Sequence, residues 1–392
     1  MREMPVNASK RRPEPGTDTA IKSFEDLKHE VQDRGICGKC GGCVAFCSAG
    51  EFNALGLDKE GKPVLVNERS CLKCGICYLI CPQIQVLDQE LRQRLGWKPL
   101  IGSYRSLAAA RATDRRIRAV ATDGGVVTAL LTYALKKHLI QAAVVLRKTG
   151  PFSREPMIAT TPAELMDAAG SHFEESLHLD TVGRKYTTFA PTVREVRNLR
   201  ARNIERIAVV GTPCQVYTIR KMQLLSVVPS DAIILTVGLF CMENFSFDER
   251  ARSTIEKKLG VKLERLKKVN IKNDVILQTE NNEVIHLPFS TVDEFARPAC
   301  FACPDFANEY ADLSCGGLGS PDGYTTTVVR TALGERIYNG ARQTQLIEEL
   351  HHRNREEAKI HRTEMTSKVV SFARRKKERA RKRLSSGGTA ME

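Results

Sequence analysis

From Ile101 onward, apolar and polar positions fall into blocks that predict strands and helices in turn. Ser106–Ala112 reads as a strand. After Asp123-Gly124-Gly125, the run V-V-T-A-L-L-T-Y-A-L-K-K repeats its apolar positions at helical spacing, and Ala142–Leu146 reads as the next strand. Val193–Arg202, just after Pro191, has helical periodicity. Arg206–Val210 is a short continuous apolar run, as expected of a strand buried on both faces, and a helix resumes from Gln215. Ala232–Phe240 is a second such strand. Strands and helices in alternation predict an α/β core with a mainly parallel sheet. In that sheet Cys214 and Cys241 sit at carboxyl ends of strands, the edge where such sheets bind ligands.

The flanks read differently. Residues 1–22 are rich in Pro, Ser, Thr and charge and are expected to be a disordered tail. A helix over Ser23–Arg34, a turn and strand in D-K-E-G-K-P-V-L-V, and a helix near Val86–Leu95 form a small module, with a boundary at Gly96–Pro99. Residues 263–290 switch to short strands with polar turns. Residues 341–384 are helical in composition and increasingly basic, before a Ser/Gly end. The organisation expected is a tail over 1–22, a module over 23–97, a core over 98–340 and a basic helical tail over 341–392.

A chain of 392 residues has room for two or more cores. Its longest apolar runs, Val126–Leu135 and Ala232–Met242, fall short of the roughly 20 residues that span a bilayer. No apolar export segment opens the sequence, so a cytoplasmic location is expected, at most peripheral to a membrane. The net charge of +14 raises nucleic acid as a partner. Its distribution argues against that: eight basic residues and one acidic lie between Arg374 and Arg383, and four basic and one acidic in the first twelve. The rest is mildly basic, and the C-terminal run reads as a solvated arm for an acidic partner subunit or an anionic membrane surface. Removing residues 373–392 is accordingly expected to leave turnover intact.

The thirteen cysteines change the picture most. Cys37, Cys40, Cys43 and Cys47 form one C-x2-C-x2-C-x3-C run; Cys71, Cys74, Cys77 and Cys81 form another, followed by Pro82. This is the ligand spacing of a double 4Fe–4S ferredoxin, in which the fourth cysteine of each run serves the other cluster. Cluster one is therefore assigned to Cys37, Cys40, Cys43 and Cys81, and cluster two to Cys71, Cys74, Cys77 and Cys47. Ser48 stands where a proline is usual. Zinc favours two separated pairs and disulfides need an oxidising compartment, so both fit less well.

Cys214, Cys241, Cys300 and Cys303 could converge on a third cluster, form a zinc site, or be structural; spacing alone leaves these open. Cys315 has no partner by spacing and reads as a small core residue. Asp123-Gly124-Gly125 and Gly211-Thr212 precede helices and could aim backbone N–H groups at a phosphate. Gly316, Gly317, Gly319 and Ser320 form a loop through which a backbone could approach a flat ligand. None of these is a dinucleotide fingerprint.

The segments T-D-G-G-V-V-T-A-L-L, V-G-T-P-C-Q, G-L-F-C-M-E-N-F and C-x2-C-x-D-F, then A-D-L-S-x-G-x-x-G-S-P-D-G-Y, resemble the family of coenzyme F420 hydrogenase/dehydrogenase beta subunits across about residues 100–335. The double ferredoxin resembles the input subunit that oxidises the reduced coenzyme. The resemblance implies an FAD-containing iron–sulfur oxidoreductase that exchanges hydride with coenzyme F420 and single electrons with other redox subunits. It implies a third cluster on Cys214, Cys241, Cys300 and Cys303. It places FAD near Asp123, Gly124, Gly125, Thr128 and the Gly316–Gly323 loop, and adds Lys185, Tyr186 and Asn244 as motif positions. No catalytic acid or base is implied. The alternatives are a non-catalytic ferredoxin-type carrier and a related flavin/iron–sulfur reductase of another substrate.

Overall fold

The computed structural model describes residues 21–385 apart from 60, 151–152, 171–185, 188–192, 194–195, 197–198, 200–202, 248–252, 255, 259, 261, 263–264, 272–273 and 292–294. The expected N-terminal tail therefore lies almost wholly outside the described residues. Of the expected helix over 193–202, Val193, Val196 and Leu199 are among the few described, and all three are buried.

The small module begins at α1 (Phe24–Leu27), where Ser23 and Asp26 form a capping box, and continues as a π-helical turn over Lys28–Gln32. Helix α2 (Gly42–Ala49) leads into the hairpin β1 (Leu55–Leu57) and β2 (Pro63–Leu65). The second cysteine run carries α3 (Ile76–Leu79), and α4 (Asp88–Arg94) closes the module. The two runs fold alike. Lys39 and Gly41 have φ of 50° and 83°, and Lys73 and Gly75 have 52° and 76°. The shared sequence C-x-K-C-G thus makes one left-handed loop twice, with glycine where that backbone is least costly.

The core is an eight-stranded mixed sheet. In chain order it contains β3 (Ser106–Ala112), α5 (Arg115–Val120), α6 (Val126–Lys136), β4 (Ala142–Gly150), β5 (Ser153–Ala159) and α7 (Pro162–Asp167). Tyr186–Thr187 (β6) pairs apart from the main sheet with Ser246–Phe247, and between them lie β7 (Ile207–Gly211), α8 (Pro213–Leu224) and β8 (Ile233–Leu239). Counting Ser246–Phe247 as β9, a separate antiparallel sheet follows: β10 (Leu266–Ile271), β11 (Val275–Thr279) and β12 (Val284–Leu287). The chain ends with α9 (Pro298–Phe301), β13 (Leu313–Gly316), β14 (Thr325–Val329), α10 (Ala332–Gln343), β15 (Ile347–Glu349) and α11 (Arg355–Ser385).

The sheet order is β15-β3-β14-β13-β8-β7-β4-β5. The expected parallel arrangement holds for the four central strands β13, β8, β7 and β4. Hairpins and returning strands make the flanks antiparallel. Strand β14 is buried at all five positions, although three are threonine. Its β-branched threonines suit a strand, but their polarity hid it from an apolar pattern. No helix among the described residues is long and apolar enough to cross a membrane.

The C-terminal region departs from its expected boundary and character. Helix α10 runs across residue 340, and β15 adds an edge strand to the core sheet through β3. Helix α11 is no free arm. Met365, Val369, Ala373, Lys376 and Ala380 are buried along one face, and Leu384 reaches the apolar cluster of the cysteine module. The spacing of these residues is three and four throughout, so a helix covered in charge still presents one narrow packing stripe.

Candidate redox site

Two cavities open in the small module, and their linings sort the eight cysteines. Cys37, Cys40, Cys43 and Cys81 line one; Cys47, Cys71, Cys74 and Cys77 line the other. This is the crossed arrangement the spacing predicts, each run lending its last sulfur to the other set. Four sulfurs line each cavity, the number that one 4Fe–4S cluster takes. Burial, then the neighbouring sulfurs, raises the Cys43 and Cys81 thiols, and burial with Cys74 pushes Cys77 up to about 12. Such thiols become ligands when a metal displaces the proton.

The second cysteine group forms at the carboxyl edge of the central strands. Cys214 lies in the first turn of α8, directly after β7; Cys241 lies two residues past β8; Cys300 and Cys303 come from α9 and its end. Cys303 and Cys241 are electrostatic neighbours of Cys214, and Cys300 of both Cys241 and Cys303. Burial is the largest cause pushing Cys241 up to about 12, and it raises Cys214 and Cys303 as well. Cys315 stands apart, buried in the sheet core with its sulfur 3.9 Å from the Thr327 hydroxyl.

Two residues expected beside a cofactor, Asn244 and Thr212, bond these sulfurs. Asn244 donates its backbone N–H to Cys300 Sγ at 3.3 Å and its side-chain amide to Cys241 Sγ at 3.2 Å. The Thr212 hydroxyl lies 3.3 Å from Cys214 Sγ. A phosphate role for Gly211-Thr212 is poorly supported, because the Gln215 side chain already accepts from Thr212 N at 2.9 Å. That side chain also stands 3.2 Å from where a Gly211 Cβ would be.

The other glycine loops meet at the same edge. A Cβ on Gly317 would lie 2.5 Å from the Asp123 carboxylate, and one on Gly316 would strike the Phe240 ring at 2.4 Å. Gly124 donates its N–H to Thr325 Oγ1 and abuts the β3 backbone. Gly319, at φ 94°, lets Met365 of α11 approach, and Ser320 bonds the Thr326 hydroxyl at 2.6 Å. These glycines are needed for close packing within the protein itself. Helix α6 starts at Gly125, which caps it in a left-handed conformation, and Thr128 lies buried in its first turn. Tyr186, in β6, pairs with Phe247 three residues past Asn244. Lys185 lies outside the described residues.

Helix α8 ties the two cysteine regions together. Cys214, Thr218 and Lys221 recur at spacings of four and three, so they share one face. The Thr218 hydroxyl donates to Cys214 O at 3.0 Å and lies 3.4 Å from Cys40 Sγ. The fully buried Lys221 ammonium donates to Cys81 O at 2.9 Å and also to Ile84 O. Arg297, just before α9, donates to Gly38 O at 2.9 Å. Sequence reasoning missed Thr218 and Lys221; their helical register with Cys214 was the available signal. It also missed Lys376 of α11, which donates to Cys241 O.

Residues 107–182 match the N terminus, and 204–354 the C terminus, of the beta subunit of coenzyme F420 hydrogenase/dehydrogenase, and 29–90 match a 4Fe–4S dicluster domain. The chain is 35% identical over 254 residues to the coenzyme F420 hydrogenase subunit beta of Methanothermobacter thermautotrophicus, covering 64% of this chain and 85% of that one. It is 28% identical over 325 residues to one subunit of the F420H2 dehydrogenase of Methanosarcina mazei, covering 80% and 84%. A chain of the xenon-derivatised F420-reducing NiFe hydrogenase complex of Methanosarcina barkeri superposes with a TM-score of 0.62 at 27% identity, covering 74% of this chain and 94% of that one.

Proposed function

The chain belongs to the family of coenzyme F420 hydrogenase/dehydrogenase beta subunits, and on that premise we propose that it exchanges hydride with coenzyme F420 and trades single electrons with a partner redox subunit. When bound, FAD would supply the two-electron chemistry and the 4Fe–4S clusters the one-electron chemistry; the protein's part is placement and tuning. Cys214, Cys241, Cys300 and Cys303 would hold a core cluster, beside the two ferredoxin-type sets. The N–H groups opening α6 would face the flavin's phosphates, with Asp123 and Gly317 beside them. Asn244 and Thr212 bond three of the four core sulfurs, which fixes their geometry and favours the electron-rich state of anything they bind.

The observation that carries this reading is the contact of Thr218 with both Cys214 O and Cys40 Sγ. It puts the helix that carries Cys214 beside Cys40, while Cys74 is exposed, where a partner could dock. The test is anaerobic reduction of viologen by reduced coenzyme F420, with flavin and iron counted on the same sample. The expected outcome is turnover, one flavin, and about twelve irons for three cubanes. Protein with about eight irons and no flavin would be a ferredoxin-type carrier instead.

A further inference from the structure

We propose that Lys376 is a positioning residue for the core cysteine group: its ammonium, delivered by the C-terminal helix, sets the reduction potential of the cluster those cysteines hold. The inference rests on the reading of Cys214, Cys241, Cys300 and Cys303 as cluster ligands. It departs from the role that a basic run ordinarily suggests.

Eight basic residues lie between Arg374 and Arg383, yet Lys376 differs from those around it. It is 1% exposed. Lys377 pairs with Glu309, and Arg379 pairs with Glu243 at 2.6 Å. Lys376 instead donates to the backbone carbonyl of Cys241, and its charge faces Cys303, Cys241, Cys300 and the Asp305 carboxyl. Its nitrogen is thus held on the backbone of one of the four core cysteines, out of contact with solvent.

A buried ammonium is unfavourable unless negative charge compensates it. A thiolate-ligated cluster supplies such charge, and supplies more of it once reduced. The positive charge must then stabilise the reduced form more than the oxidised form, raising the potential. Helix α11 links this charge to the glycine loop, because Met365 packs against Gly319 three turns earlier on the same buried stripe.

The experiment uses the full chain, reconstituted anaerobically, with Lys376→Met, Lys376→Gln and Lys376→Arg. Midpoint potentials are read by EPR-monitored titration, and the core signal is identified as the one missing from Cys300→Ser. Lys376→Met should shift the core cluster's oxidised-to-reduced ratio at least tenfold towards oxidised at fixed potential, 59 mV for one electron. Lys376→Arg should stay near the parent, and the ferredoxin-type signals should not move. An unchanged core potential in iron-replete Lys376→Met, or equal shifts in all clusters, overturns the proposal. If Lys376→Met takes up no core cluster, Lys376→Gln against Lys376→Arg decides on charge at similar size. Loss of the core cluster from both assigns Lys376 to assembly and also overturns it. A parent protein with only eight irons refutes the ligand reading itself, a separate result from any Lys376 shift.

Discussion

Cys40 Sγ lies 3.4 Å from Thr218 Oγ1, and this contact joins a loop of the ferredoxin-type module to a helix of the sheet core. The fit around it is close. A Cβ on Gly42, which opens α2, would lie 2.2 Å from Thr218 Cγ2. The glycine is what allows α2 and α8 to approach.

Gly42→Ala is therefore expected to destabilise the junction by about 1–3 kcal/mol, the usual cost of forcing a methyl into a packed interior. Thr218→Ala removes the opposing methyl at the cost of a buried hydrogen bond, about 1 kcal/mol. The double variant should recover most of the Gly42→Ala loss in a double-mutant cycle on denaturant unfolding. Additive effects would mean that the two parts do not pack through this contact.

The two cysteine categories in the core predict opposite outcomes. Cys300→Ser should lose about four irons per chain, because Cys300 belongs to the group around Cys241 and Cys303. Cys315→Ser should keep its full iron, because that sulfur is buried between strands near Thr327. Iron and sulfide counts after identical anaerobic reconstitution check both. Equal iron in the two variants would remove the third cluster from the account.

Much of this is legible in the sequence, for physical reasons that differ by element. The paired cysteine runs are readable because cluster ligation is a local spacing rule, and even their backbone repeats, with left-handed Gly41 and Gly75. The central strands β7 and β8 are readable because burial on both faces demands continuous apolar runs. Strands β13 and β14 are not, since Ser314 and Thr325–Thr327 are buried polar residues whose bonds depend on the folded chain; Ser314 Oγ donates to Asn308 O. The basic tail misleads because nine charged residues in ten hide the stripe of Ala373, Lys376 and Ala380. Asn244 stands in a motif that implies a cofactor residue, and its backbone N–H and side-chain amide both donate to sulfur, which only the folded chain shows.

Removing residues 373–392 becomes a sharper test in light of α11. The deletion strips buried Ala373, Lys376 and Ala380 from the core and leaves Glu243 and Glu309 without Arg379 and Lys377. Leaving the buried Glu243 carboxylate without Arg379 alone costs up to about 3–5 kcal/mol. The truncated chain should unfold at markedly lower denaturant and lose core iron faster in air. A truncated chain with parental stability and iron would restore the solvated-arm reading that the charge run first suggested.

The Glu309 carboxyl gives a pH dependence whose sign is set by burial. It is held above the ordinary carboxylate range, at about 7 against 4.5, by burial first and by the neighbouring Asp305 second; Lys377 and Trp97 pull the other way. Below 4.5 both folded and unfolded chains carry this proton, and the group contributes nothing to the slope. As pH rises from 4.5 towards 7 the unfolded chain releases the proton while the folded one keeps it, so stability falls. The full effect is roughly 3 kcal/mol. Glu309→Gln keeps an acceptor for the Trp97 indole N–H, now 2.7 Å from Glu309 Oε2, but cannot titrate. The parent should therefore lose stability relative to Glu309→Gln over this range and level off above pH 7. Trp97 is the chain's only tryptophan, so its fluorescence should titrate near pH 7 in the parent and stay flat in the variant. Superimposable pH–stability curves for the two proteins would show that Glu309 is ionised throughout, with Lys377 rather than burial deciding its charge.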